Sequence, residues 1–338
     1  MTAHRALLLA LLPLSVAVPP PPAGAADPNP PASIDLAQRH DIRFIGGDPE
    51  DELGVQARFG DLNGDGYDEV ILGAWLADGR HNNRPRSGEV VVFFGGPREK
   101  EGEGSWNASL VYGALPGNRI GSSADVGDFD GDGVPDLLIG ARYADGPPDS
   151  LRPRSGEAYL LLGGSNGERR EVVDVRRDPD LLLLGRDEGD RLGRRILVAD
   201  LDKDGKEDLL VAAVGAAGPS GETRDAGAVY VIYGDRRENI EGIMDLSLED
   251  PPALYGEDDS DALGSAMATG DWNGDDQPDL FLACGFADGP ANGRTNAGET
   301  FVLFGAPGIR FEGERVLSEG REFTIYGAEA YDAAGVAV

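Results

Sequence analysis

The chain has 338 residues, with 30 Lys plus Arg against 61 Asp plus Glu, a formal net charge of -31, 50 glycines and one cysteine. So acidic a field repels nucleic acid and anionic membranes, and a lone cysteine excludes a disulfide framework. With 40% apolar residues and that much glycine, the composition excludes a disordered chain and suits a turn-rich all-β protein with a large core.

Residues 1–25 read as a secretory signal. His4 and Arg5 open it, Ala6 to Val18 is an apolar run broken by Pro13, and Ala23-Gly24-Ala25 has the small-x-small form of a cleavage site. A membrane anchor needs about 20 apolar residues in a row, more than this run supplies, and no later segment could span a bilayer. Residues 26–40, with Asp27-Pro28-Asn29-Pro30-Pro31, form a Pro-rich linker. The expected location is secreted, extracellular or at the cell surface, with the periplasm as an alternative.

Residues 41–338 are periodic, and the unit is clearest at Asp128-Phe129-Asp130-Gly131-Asp132-Gly133-Val134-Pro135-Asp136. Carboxylates at positions one, three and five (Asp128, Asp130, Asp132) point inward from a tightly wound backbone. Gly133 at six permits a positive-φ turn, the carbonyl of Val134 at seven can face an ion, and Asp136 at nine closes the shell. Only oxygen is offered, so the expected cofactor is a hard cation, calcium. An EF-hand would place its closing Glu at position twelve and lead into a helix, whereas this loop closes at nine and leads into the apolar, strand-like Leu137 to Ala141.

Three further copies carry Asp61, Asn63, Asp65, Tyr67 and Glu69; Asp200, Asp202, Asp204, Lys206 and Asp208; and Asp271, Asn273, Asp275, Gln277 and Asp279. They recur about every 70 residues, the signature of a repeated supersecondary unit. In the first copy either Asp68 or Glu69 could close the shell. In the fourth Asp276 replaces the glycine at position six, which predicts the weakest site.

Each repeat divides into four apolar runs. The first leads into the loop (Leu53 to Phe59, Ile120 to Val126, Leu192 to Val198, Leu263 to Thr269), and the second leaves it (Val70 to Ala74, Leu137 to Ala141, Leu209 to Ala213, Leu280 to Cys284). The third is the most β-like: Val90 to Phe94, Ala158 to Leu162, Val229 to Tyr233, Thr300 to Phe304. The fourth is Leu110 to Tyr112, Leu181 to Leu184, Ala253 to Tyr255, and Phe323 to Tyr326. Unbroken runs imply strands covered on both faces, as in four-stranded sheets packed around an axis, so a β-propeller is expected ahead of a sandwich array or a β-helix. Cys284 takes the place of Ala74, Ala141 and Ala213 and reads as a small buried residue.

The pattern Leu-Gly, Gly-Asp-x-Asn/Asp-Gly-Asp-Gly, Asp-Leu-Leu-x-Gly-Ala and Gly-x-Val-Tyr-x-x-x-Gly resembles the FG-GAP repeat of integrin α-subunit propellers and of secreted bacterial relatives. The resemblance covers Arg43 to Val338. It implies a propeller, usually of seven blades, with calcium in blade hairpins and in a structural role. Four complete repeats are legible, and Ile325 to Val338 aligns with the start of a fifth, so the chain reads as part of a larger ring. Its first strand at Arg43 to Gly46 and its last at Ala334 to Val338 are expected to lack partners; a complete ring is expected to be monomeric.

Catalytic signatures are missing. His40 and His81 lie in no HExxH or G-x-S-x-G setting, and no phosphate loop ends in Gly-Lys-Ser/Thr. The sequence therefore predicts a non-catalytic binding or adhesion module for a protein or glycan ligand. The alternative is the propeller part of an extracellular carbohydrate-active enzyme, a lyase or hydrolase, with its catalytic residues outside this chain. Strand alternation puts the calcium loops and the turns between third and fourth strands on one face. Loops between second and third strands, with Arg80, His81, Arg84, Arg86, Arg142, Arg152, Arg154, Arg224 and Arg294, share the other face with acidic inter-blade loops. Any ligand is expected there. The bland alternative is that an Asp–Arg pair merely fixes each long loop.

Overall fold

In the computed structural model the described residues are 44, 48–96, 108–147, 151–164, 172–240, 242–308, 310–318, 321 and 323–336. The signal, the linker and most of the expected strand at Arg43 to Gly46 lie outside them. Four mainly antiparallel sheets follow one another along the chain. The first is formed by β1 (Leu53–Gly60), β2 (Glu69–Ala74), β3 (Glu89–Phe93) and β4 (Ala108–Tyr112). In the second, β5 (Ser123–Gly127), β6 (Asp136–Ala141) and β7 (Glu157–Leu161) are joined by β9 (Leu181–Leu184), after β8 (Val172–Asp174) has left for the first sheet. The third holds β10 (Leu192–Ala199), β11 (Asp208–Ala213), β12 (Ala228–Ile232) and β14 (Ala253–Tyr255), with β13 (Gly242–Asp245) assigned to the second sheet. The fourth holds β15 (Leu263–Gly270), β16 (Asp279–Cys284), β17 (Glu299–Leu303) and β19 (Phe323–Tyr326); β18 (Glu314–Val316) belongs to the third.

The sheets stack face to face, and this explains the unbroken apolar runs. Successive side chains of a strand point to opposite faces. In β6, Leu137 and Ile139 pack with Ile71, Val90 and Val92 of the first sheet, while Leu138 between them packs with Leu209 and Val211 of the third. The central strands of the second and third sheets thus serve two cores, which leaves them no solvent face for polar residues. Tyr159, Tyr230 and Phe301 are among the largest fully buried side chains, each contributing about 2–3 kcal/mol by burial.

The first strands, β1, β5, β10 and β15, contact one another in succession, so they line the inner side of the arc of blades. Their approach requires a small residue in the second strand. A side chain on Gly140 would meet the carbonyl oxygen of Gly193 at 2.2 Å. Gly193 itself has φ +78° and sits in a bulge between Leu192 and Arg195. The architecture is the β-propeller expected from the sequence.

Two features differ from expectation. Three sheets have a fifth strand: β8, β13 and β18 pair in parallel with β4, β9 and β14, so each repeat lends a strand to the blade before it. Ala334 is not an unpaired strand end, since its amide donates to the Ala297 carbonyl at 2.8 Å, within a turn. Among the described residues no helix is long and apolar enough to cross a membrane.

Candidate metal loops and the opposite face

Each acidic loop connects the first and second strands of its sheet and is wound by its own carboxylates. In the second copy, Asp128 accepts the amides of Asp132 at 3.0 Å and Gly133 at 2.8 Å. Asp130 accepts the Asp132 amide at 3.0 Å, and Asp132 accepts that of Val134 at 2.8 Å. Position-seven amides of Tyr67, Lys206 and Gln277 likewise donate to Asp65, Asp204 and Asp275. The turn at position six has φ +88° at Gly66, +89° at Gly133 and Gly205, and +63° at Asp276.

The carboxylate at position nine ties the loop to the rest of the blade. Asp136 accepts the Phe129 amide at 2.8 Å with one oxygen and the Gly163 amide, from the turn between third and fourth strands, at 2.7 Å with the other. Asp208 does the same with Leu201 and Gly234, and Asp279 with Trp272 and Gly305. In the first loop Glu69, fully buried, takes Leu62 at 2.8 Å and Gly95 at 3.3 Å, while Asp68 is exposed. Glu69 is therefore the closing residue; its longer side chain spans the same gap. Burial, aided by neighbouring acids and opposed by the amide donors, pushes Glu69 and Asp136 up to about 7 and Asp208 to about 6.

Oxygens of Asp128, Asp130 and Asp136 lie within 4.8 Å of one another, and so do those of Asp200, Asp202 and Asp208. The position-five carboxylates turn partly outward toward cations of the following repeat. Arg237 lies 3.4 Å from Asp130 and 3.5 Å from Asp132, and Arg310 bonds Asp202 and, at 2.9 Å, Asp204. In the first and fourth loops an Asn stands at position three. Asn63 Oδ1 and Gln277 Oε1 are buried acceptors with no donor among the described residues. Orphaned acceptors beside mutually repelling carboxylates are what an oxygen-seeking cation satisfies, so the residues fit calcium.

The faces are divided as strand alternation requires. Gly164 and Gly308, from turns between third and fourth strands, donate backbone bonds to Leu62 and Asp202, and Glu207 of the third acidic loop donates one to Asp128 of the second, gathering loops and turns on one face. On the other side Gly117 and Arg119 bond the carbonyls of Pro85 and Arg86, and Gly189 and Arg191 those of Pro153 and Arg154, joining inter-blade loops to the long loops.

The long-loop arginines divide into two kinds. Arg84 forms a two-pronged pair with Asp174 at 2.6 and 2.9 Å, and Arg152 an equivalent pair with Asp245. Both acids sit on the lent strands β8 and β13, so these two arginines are structural and are withdrawn from the expected ligand set. Asp78 and Asp145 instead cap the amides of Arg86 and Arg154. Arg294 donates to the Gly327 carbonyl at 2.8 Å. The side chains of Arg86 and Arg154 stay exposed. Sequence reasoning missed Trp75, Arg119, Tyr143, Arg194 and Arg195, which gather on this face near the inner strands; the doublet Arg194-Arg195 after Leu-Gly was the available signal. Cys284 is fully buried, and burial holds its thiol well above the ordinary range.

Stacked blades with an acidic hairpin loop in each define a repeat-built β-propeller. The FG-GAP repeat family matches residues 120–161 and 192–232, and the FG-GAP-like repeat residues 61–139. The chain carries FG-GAP repeats, and it resembles integrin α subunits. It is 29% identical over 247 residues to integrin alpha-PS2 of Drosophila melanogaster, covering 70% of this chain and 15% of that protein. It is 26% identical over 244 residues to the phosphatidylinositol-glycan-specific phospholipase D of Homo sapiens, covering 71% of this chain and 27% of that one. The chain thus spans about a quarter or less of these relatives. The crystal structure of the V. cholerae biofilm matrix protein Bap1 matches 81% of this chain and 44% of its own at 14% identity, with a TM-score of 0.26, too low to carry any argument.

Proposed function

We propose that this chain is a secreted, calcium-stiffened binding module whose ligand docks on the face away from the acidic loops. The observation that carries this reading is the division of labour between the faces. Acidic loops are tied into the blades by buried position-nine carboxylates, whereas the opposite face gathers long loops and unpaired arginines on a rigid scaffold. Calcium would be held by positions one, three, five and nine, with the position-seven carbonyl, and would neutralise carboxylates that otherwise repel one another. Export would place the loops where calcium is abundant enough to fill even weak sites.

The reading is non-catalytic. A second reading, an accessory propeller in a longer extracellular enzyme, is favoured by the match to a protein named as a phospholipase D.

Beads coated with the chain test the proposal on panels of extracellular proteins and glycans. Calcium-dependent adhesion, weakened at least tenfold by Arg86→Ser with Arg154→Ser and unchanged by Tyr67→Ser on the calcium face, is expected. Adhesion lost only through the calcium-face change would overturn the assignment.

A further inference from the structure

Five arginines converge where the inner ends of the first three blades meet on the face away from the acidic loops. Arg119 lies in the loop between β4 and β5, Arg142 and Tyr143 follow β6, Arg194 and Arg195 lie near the start of β10, and Arg191 precedes it. Trp75 follows β2. The Arg119 guanidinium is 5.3 Å from the Trp75 ring centre and 4.7 Å from that of Tyr143; Arg142 is 5.2 and 4.8 Å from the same two rings. Two cations therefore share one pair of aromatic rings, which offers each some compensation.

What the cluster lacks is an acid. Among the described residues no carboxylate pairs with Arg119, Arg142 or Arg194, although the chain carries 61 acidic residues. The exposed acid Glu52 takes the Trp75 indole N–H at 2.5 Å instead. Arg142 Nε is buried without an acceptor, and so is Ser122 Oγ, three residues beyond Arg119. Burial, with the neighbouring guanidiniums adding repulsion and Tyr143 opposing them, lowers the pKa of Arg142 and brings Arg194 down to about 10. Unpaired, half-buried cations destabilise a fold, and such violations of local rules concentrate at sites of function.

The surroundings limit the size of the missing anion. Inter-blade loops on this face carry Asp48, Glu50, Glu52, Asp187 and Glu188, so a polyanion would be repelled. A single carboxylate can enter, and cationic groups on either side of it would meet the acidic rim. Arginine forks also suit a carboxylate better than a point charge.

We propose that Arg119, Arg142 and Arg194 form a receptor for one acidic side chain on an exposed segment of a protein partner, with basic residues flanking that side chain. The proposal rests on the reading of this chain as a binding module and names the chemistry its ligand presents.

The test uses the full chain in calcium and the capped peptide Gly-Lys-Gly-Glu-Gly-Lys-Gly, with a control peptide carrying Gln in place of Glu, titrated by calorimetry or by NMR of arginine side-chain N–H signals. Expected is at least tenfold tighter binding of the Glu peptide, and loss of that preference in Arg142→Gln. Because that change removes an unpaired cation, its melting temperature should equal or exceed that of the parent. Arg142→Lys, which keeps charge but not the fork, should retain part of the preference. Equal binding of both peptides, an undiminished preference in Arg142→Gln, or a melting temperature lowered by several degrees would overturn the proposal. Tighter binding of heparin or oligogalacturonate than of the peptide, abolished by Arg142→Gln, would overturn it in favour of acidic glycans. Peptide binding with no adhesion of coated beads to any surface would refute the adhesion reading and leave the receptor standing.

Discussion

Arg152 donates from both terminal nitrogens to the two oxygens of Asp245, at 2.7 and 2.9 Å, across 93 residues of sequence. The pair clips the long loop of the second blade to the strand that the third repeat lends to it. Arg84 and Asp174 form the same clip one blade earlier, across 90 residues. Their side chains are 12–20% exposed, so solvent screens them only in part. Asp245→Asn should cost about 2 kcal/mol in urea unfolding and raise hydrogen exchange in β13 above that in β11. A loss under about 0.5 kcal/mol, the scale of an exposed pair, would contradict this.

A pH effect is expected at Asp190. Burial, with the charge of Asp187 adding to it and the Asp187 amide opposing, raises its carboxyl to about 7. The folded state then holds a proton that the unfolded chain releases near pH 4. Stability from this group is full below that value and is lost as pH climbs through 7. Asn118 occupies the matching place in the preceding inter-blade loop, so the position accepts an amide. Asp190→Asn should raise stability at pH 8 by about 2–3 kcal/mol more than it does at pH 5. A greater loss at pH 8 than at pH 5 would show the charged form to be the favoured one.

The outer face of the fourth blade carries an open aromatic cluster. The Trp272 ring centre lies 5.5 Å from that of Phe323 and 5.9 Å from that of Phe281, both edge to face, and 6.1 Å from that of Phe304. Trp272 is 52% exposed, whereas Phe129 and Leu201, at its position in the second and third loops, are 2% and 5% exposed. A patch of this kind recruits another apolar surface. Sedimentation at micromolar concentration should show self-association that Trp272→Ser with Phe323→Ser shifts toward monomer. A monomeric parent would contradict it.

Position six of the fourth loop offers a further check. Asp276 holds φ +63° without glycine's freedom, a strain on the order of 1 kcal/mol. Asp276→Gly should raise the calcium affinity of that loop several-fold, read by calcium titration. Weaker binding would mean that the Asp276 carboxylate itself serves the ion.

Much of this architecture was legible because the physics repeats. The loops announce themselves by carboxylate spacing, and runs such as Leu137 to Ala141 are unbroken because neighbouring blades cover both faces. Choosing Glu69 over Asp68 needed the fold, since only the partner glycine Gly95 shows which carboxylate reaches it. The lent strands were illegible. Val172–Asp174 is three residues long, buried only at Val173, and its partner β4 lies some 60 residues back, so no local pattern marks it. For the same reason the sequence offers both a ligand contact and a loop-fixing Asp–Arg pair for Arg84 and Arg152, since their partners Asp174 and Asp245 lie 90 and 93 residues away. The arginine cluster escaped because Arg119, Arg142 and Arg194 come from three different blades.

The central claim is that the acidic loops hold calcium and that the fold depends on it. Thermal unfolding of the full chain in millimolar calcium and in excess chelator tests it most directly, with Asp132→Ala and Asp275→Ala measured alongside. A melting temperature lowered by ten degrees or more in chelator, and by Asp132→Ala more than by Asp275→Ala in calcium, is the predicted result; an unchanged melting temperature in excess chelator would contradict the account.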